Sequence, residues 1–165
     1  MELPVWTPTD KEKDFFLKHL SKEKNVLEYG CGTFSFEISE KSKHLLSVEH
    51  QPHWYHKIFS QKSKNLDLVL KPPSLPYQEG GHDGTYEEFK DYVDYPIDKG
   101  PFDIILIDGR ARVACASKCK LMCDQNTIVF VHDYTGSRDK SDYKMIPKYL
   151  NLIESLGTMA KFTIA

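Results

Sequence analysis

Asn25-Val26-Leu27-Glu28-Tyr29-Gly30-Cys31-Gly32-Thr33-Phe34-Ser35 carries a short apolar strand, a glycine turn and the start of a helix in one run. Val26, Leu27 and Tyr29 read as a buried strand over residues 25–29. Gly30 and Gly32 stand at alternate positions, which lets the backbone turn tightly and lets a ligand approach with no Cβ in the way. The pattern is E-x-G-x-G, with Ser35 where a G-x-G-x-x-G motif would have its third glycine. A strand followed by a capped helix gives the same turn, so the flanking blocks must decide between cap and binding loop.

Working outward, a helix runs from about Ser35 to Lys43, a second strand from His44 to Glu49, a helix from Pro52 to about Lys62, and a third strand from Leu66 to Leu70. Upstream, Thr9-Asp10 caps a first helix whose apolar stripe is Phe15, Phe16, Leu17 and Leu20. Downstream, Phe102-Asp103-Ile104-Ile105-Leu106-Ile107-Asp108 is a continuous apolar run, as expected of a strand buried on both faces of a parallel sheet. A helix from Arg112 to Met122 follows, then a buried strand from Thr127 to Val131. Lys144 to Leu156 reads as a helix with Pro147 in its first turn and Gly157 at its end, and Met159 to Ile164 as a last strand. Strands alternating with helices imply an α/β fold: a Rossmann-like, doubly wound, mostly parallel sheet of about six strands with helices on both faces. Residues 71–100, rich in proline, glycine and tyrosine, interrupt this rhythm as an irregular insertion in a single domain spanning 1–165, with a short helix over Tyr86–Tyr92.

The chain has 165 residues, 40% hydrophobic and 28% charged, which suits one globular domain. Its net charge of −2 and pI near 6.4 lack the basic excess of a dedicated nucleic-acid binder. No apolar run is long enough to span a membrane, and Met1 to Trp6 lacks the basic start and apolar core of a signal peptide. Cys115, Cys119 and Cys123 share one face of a helix and with Cys31 form no disulfide framework, so the expectation is a cytoplasmic protein with reduced thiols. The same three cysteines read as small core residues, and the His50-x-x-His53-x-x-His56 series drifts round its helix too far for zinc.

Three further blocks carry chemistry. Val48-Glu49 ends the second strand, where an acid accepts hydrogen bonds from both ribose hydroxyls of a nucleoside cofactor; His50 and Trp54 follow, and an aromatic at this edge suits an adenine face or helix packing. Asp108-Gly109-Arg110-Ala111-Arg112 leaves the carboxyl end of the buried fourth strand, where open α/β sheets place ligands; Asp108 is either a site residue or a helix cap. His132-Asp133-Tyr134 ends the next strand, so the two ends should be neighbours, with Arg138 and Tyr143 on the loop beyond. Arg110, Arg112, Arg138 and Tyr143 are the candidate substrate contacts, suited to an anionic or polyhydroxyl group.

With these blocks the chain resembles the class I S-adenosylmethionine-dependent methyltransferases. Within them it is similar to a group whose blocks read L-E-Y-G-x-G, V-E-x-x-x-x-W, F-D-x-x-x-I-D-G-R-x-R-x-x-C-A and V-H-D-Y-x-x-R-x-x-Y, here Leu27–Gly32, Val48–Trp54, Phe102–Ala116 and Val131–Tyr143. Members occur alone or fused to glycosyltransferases, including in large DNA viruses. The resemblance therefore implies O-methylation of a sugar or glycan, S-adenosyl-L-methionine as cofactor, and the host cytoplasm if the protein is viral.

The resemblance also implies that Glu28, Tyr29, Gly30, Gly32, Thr33, Phe34 and Ser35 shape the methionine side of the pocket, that Glu49 binds the ribose with His50 and Trp54 beside it, and that Asp108 lies near the transferred methyl. Lys71-Pro72-Pro73 departs from the pattern where an acid often contacts adenine. The family often finishes with an antiparallel hairpin, which the elements read here do not supply. Asp108 or His132 is the expected general base, with Asp133 orienting the other group; Asp108 and Asp133 together also suit Mg2+. Two other readings share the glycine turn: a nicotinamide-dependent oxidoreductase, which would want the third glycine and a larger substrate domain, and a non-catalytic cofactor-binding or partner module of the same fold.

Overall fold

The computed structural model describes residues 7–78, 82–135 and 141–165. Its centre is a seven-stranded sheet in the order β3-β2-β1-β4-β5-β7-β6. The parallel strands are β1 (Asn25–Tyr29), β2 (His44–Glu49), β3 (Leu66–Leu70), β4 (Phe102–Ile107) and β5 (Cys123–Val131). Strand β7 (Met159–Ile164) runs antiparallel between β5 and the edge strand β6 (Leu150–Leu156).

Helices cover both faces because the central strands are apolar on both. Residues alternate between faces along a strand, so Val26 and Leu45 point to one layer, and Leu27 and Leu46 to the other. The first layer holds α1 (Asp10–Leu17), α2 (Phe34–Lys41) and α3 (Pro52–Phe59), through Phe15, Phe16, Phe34, Ile38 and Ile58. The second holds α4 (Lys90–Asp94) and α5 (Arg112–Lys118), through Tyr92, Val93, Cys115 and Ala116. Thr9 caps α1 as its sequence predicts, its hydroxyl accepting from the Glu12 amide at 3.2 Å while Glu12 accepts from the Thr9 amide at 2.9 Å.

Three expectations are corrected. Residues 144–156 are not a helix: Ser141–Lys148 forms a 3-10 segment containing Pro147, and the chain then extends into β6. Nonlocal pairing wins here, because β6 can bond to β7 from Leu150↔Ile164 to Leu156↔Met159. The sheet thus has seven strands, and the terminal antiparallel hairpin is present, with Gly157 turning it at φ +60°. The insertion is no loose loop: Phe89, Tyr92 and Val93 are fully buried against the sheet, and its helix lies at Lys90–Asp94 rather than Tyr86–Tyr92. Cys115 and Cys119 are buried free thiols in the core. Among the described residues no helix is long and apolar enough to cross a membrane.

Candidate active site

The carboxyl ends of β1, β2, β4 and β5 open onto one cleft of about 480 Å3, within the range of small-molecule sites. It lies where the strand order reverses between β1 and β4, the crevice such sheets use for ligands.

The two glycines of the β1–α2 turn do different work. Gly30 has φ +91°, and a Cβ there would fall 2.7 Å from the Gly109 Cα and 2.8 Å from the Asp108 carbonyl oxygen; it is a glycine because the β4 exit passes against it. A Cβ on Gly32 would meet nothing within 4 Å, and its backbone faces the open cleft. The turn is held from below. The Ser35 hydroxyl accepts from the Gly32 amide (3.1 Å) and donates to the buried Glu28 carboxyl (2.7 Å). Burial pushes Glu28 up to about 8, against the hydrogen bond from Ser35, so at neutral pH it is mostly the protonated acid. Thr33 and Phe34 line the same wall.

At the end of β2, Glu49 is 3% exposed and its Oε2 accepts from the amides of His50 (2.8 Å) and Gln51 (3.3 Å). Its other oxygen lies 3.7 Å from the Cys31 thiol. The His50 ring packs edge-on against Phe89 and Tyr92 of the insertion. Trp54 lines the cleft with the Lys57 ammonium 4.8 Å from its ring centre.

The β4 and β5 exits face each other as their sequence positions imply. The His132 amide donates to the Ile107 carbonyl at 3.1 Å, and the Asp108 amide to the Tyr29 carbonyl at 2.9 Å. His132 Nδ1 lies 2.9 Å from Asp108 Oδ1, and its Nε2 3.2 Å from Glu12 Oε2. Burial opposes a charged His132 ring, but the Asp108 hydrogen bond and the charges of Asp108, Asp133 and Glu12 outweigh it and raise its pKa. Arg112, 3% exposed, has Nη2 3.8 Å from Asp108 and Nη1 3.9 Å from Asp133; Nε donates to the Gly109 carbonyl at 3.1 Å, and Nη1 to the His132 carbonyl. Asp133 takes φ +53°, a conformation rare outside glycine that aims its carboxylate back at this group.

Asp108, His132 and Asp133 bring ligand atoms within 4.8 Å of one another, but they do not suit a divalent cation. The guanidinium of Arg112 already bridges the two carboxylates, and both His132 ring nitrogens are taken. A second cation would sit beside a buried one, with little solvent to screen it.

Several sequence assignments move. Tyr29 is fully buried, its hydroxyl donating to the Val93 carbonyl at 2.8 Å, and it belongs to the core rather than the cofactor wall. Tyr143 is buried and donates to Asp83 at 3.0 Å, pinning the insertion rather than reaching into the cleft. Arg112 is a fixed cation in the cleft floor rather than a substrate arm, whereas Arg110 lines the cleft half-buried. Arg138 lies outside the described residues.

Sequence reasoning missed several contributors besides Glu12 and Gln51. Thr7 and Pro8 line the cleft from the N-terminal side, and Cys31 from inside the glycine turn. Asp83, from the insertion, accepts from the Arg112 amide at 2.7 Å and so caps α5, whose Ala111 stands at φ 51°. Only Cys31 had a local signal, its place between the two glycines; the others arrive by tertiary contact.

No family model matches the sequence, and no curated protein matches it. Solved structures share the fold. A methyltransferase-like protein from Silicibacter pomeroyi superposes with TM-score 0.74 at 22% identity, over 99% of this chain and 88% of its own. A tRNA methyltransferase from Aquifex aeolicus gives 0.67 at 14%, over 100% of this chain and 72% of its own. A methyltransferase of the mycinamycin biosynthetic pathway, in complex with Mg, SAH and mycinamycin VI, gives 0.57 at 11%, over 95% of this chain and 49% of its own.

Proposed function

We propose that the chain is an S-adenosylmethionine-dependent methyltransferase acting on a hydroxyl group, with a sugar or glycan as acceptor. The observation that carries the cofactor assignment is the buried acid Glu49 at the end of β2, beside the glycine turn. Glu49, Asp108 and Asp133 converge on a glycine turn whose Gly32 backbone is open, and Glu28 lies behind it. An acid at this strand end accepts hydrogen bonds from the ribose hydroxyls of a nucleoside cofactor, next to a turn open enough for the rest of the ligand. The solved methyltransferases that share this fold agree with that assignment. The sugar acceptor rests on the sequence blocks from Phe102 to Ala116 and from Val131 to Tyr143.

When bound, S-adenosylmethionine would supply a methyl carbon made electrophilic by the positively charged sulfur that leaves with the bonding pair. The chain has three tasks around it. Glu49 binds the ribose hydroxyls with the oxygen facing Cys31, its partner oxygen being held by backbone amides. Arg110, at the cleft rim, orients a polyhydroxyl acceptor. Asp108 would accept the acceptor hydroxyl's proton. His132 is unsuited to that task, because a ring bonded to a carboxylate at each nitrogen donates at both and has no lone pair to offer. The test is transfer of labelled methyl from S-adenosylmethionine to a panel of methyl glycosides, with amines and phenols as controls. Transfer to a glycoside alone is expected; transfer only to amines would overturn the hydroxyl assignment.

A further inference from the structure

Glu12 lies on the first turn of α1, 120 residues from His132 in sequence, yet it is 3% exposed. Both of its oxygens are taken. Oε1 accepts from the Thr158 amide (2.8 Å) and hydroxyl (2.9 Å), and Oε2 from the Thr9 amide (2.9 Å) while facing His132 Nε2 (3.2 Å). Only the Thr9 bond belongs to helix capping; a glutamate needed for the cap alone would have no use for an imidazole or for the β6–β7 turn. That turn reaches it through Gly157, where a Cβ would fall 2.6 Å from Oε1.

We propose that Glu12 is a positioning residue for the transfer reaction, acting through His132 to fix the orientation of the Asp108 carboxylate at the cleft. A carboxylate accepts and does not donate, so an imidazole between Glu12 and Asp108 presents an N–H to each and cannot rotate without losing both. The Asp108 oxygen it holds is thereby aimed, leaving the other oxygen for the cleft. The remaining groups around the relay are Arg112 on α5, Asp133 at the β5 exit, and the Thr9 and Thr158 donors. Burial opposes ionisation of Glu12, but the hydrogen bonds from Thr158 and Thr9 and the nearby His132 outweigh it, so its carboxyl lies below its usual range and the charge is kept. Correct docking of α1 and of the terminal hairpin becomes a condition of an ordered site.

The role in transfer rests on the methyltransferase reading; the relay itself does not, and the test separates them. Nitrogen-15 spectra of the wild-type protein, with the His132 signal assigned by its loss in His132→Asn, are expected to show protons on both ring nitrogens at pH 7. Glu12→Gln is expected to leave one, since the amide then donates to Nε2. A wild-type ring with a single proton overturns the relay, whether or not any acceptor is methylated. With a methyl glycoside that the wild type methylates, Glu12→Gln is expected to lower kcat about a hundredfold, with KM and calorimetric affinity for S-adenosylmethionine unchanged. Glu12→Asp, which keeps the charge, is expected to recover about tenfold of that loss. Unchanged kcat in a folded Glu12→Gln protein, or a loss confined to melting temperature, overturns the positioning role.

Discussion

On the β1–β2 side of the cleft, Glu28 and Glu49 are buried against hydroxyl and amide donors: Ser35 for one, the His50 and Gln51 amides for the other, with the His50 ring 3.3 Å from Glu49. On the β4–β5 side, Asp108 and Asp133 are tied to a guanidinium and an imidazole, and Glu12 closes the group from behind. Of the first pair, Glu49 keeps its negative field for a ligand, while the protonated Glu28 braces the turn behind it. The carboxylates of the second pair are neutralised within the protein, which gives up field and gains direction. On the proposed function, one cleft joins a half that binds the cofactor to a half that holds an oxygen in place for proton transfer.

The contrast can be broken at each half, and the largest effect belongs to the second. Asp108→Asn is expected to lower turnover by about a thousandfold or more while calorimetry still shows cofactor binding; near-normal turnover removes Asp108 from its assigned role. Arg112→Met leaves Asp108 and Asp133 facing each other without their buried cation. It is expected to destabilise the fold by about 3 kcal/mol, read from urea unfolding, and a shift under ~1 kcal/mol would mean that the pair is screened by water.

On the first half, the test is pH. Glu28 is raised from 4.5 to about 8 in the folded protein, so between those values the folded state binds a proton that the unfolded state has lost. Stability should therefore be fully present below pH 4.5 and fall as pH rises toward 8. The raised His132 acts with the same sign above pH 6.5. Urea midpoints at pH 5, 6, 7 and 8 should fall less steeply in Glu28→Gln than in wild type; equal slopes would show that Glu28 is ionised in the fold. The smallest effect is expected of metal removal. With Arg112 between the acids, chelator and added Mg2+ should each leave turnover unchanged, and a Mg2+-dependent rate would place a metal where the guanidinium stands.

The central strands and the glycine turn were legible because they obey local rules. Ile104 to Ile107 is buried on both faces and reads as an unbroken apolar run, and Gly30 and Gly32 mark the turn by type alone. Strand β6 obeys no local rule. Leu152, Ile153 and Leu156 are 48%, 53% and 37% exposed, so the strand shows no alternation, and its spacing of apolar residues imitates a helix. Only the pairing with β7 reveals it. The site divides in the same way: Glu49, Asp108 and His132 are announced by strand ends, while Glu12 looks like any acid in the first turn of a helix. Its part depends on Thr158 and His132, far along the chain, and no window of sequence contains all three.

The most direct test of the account is a calorimetric titration of the protein with S-adenosylmethionine, its demethylated product and NAD, repeated on Glu49→Ala. Micromolar binding of the first two, loss of both in the variant, and no heat from NAD is the predicted result. Binding of NAD, or no binding of either methyl-cycle ligand, would contradict the assignment of the acid-lined half to S-adenosylmethionine.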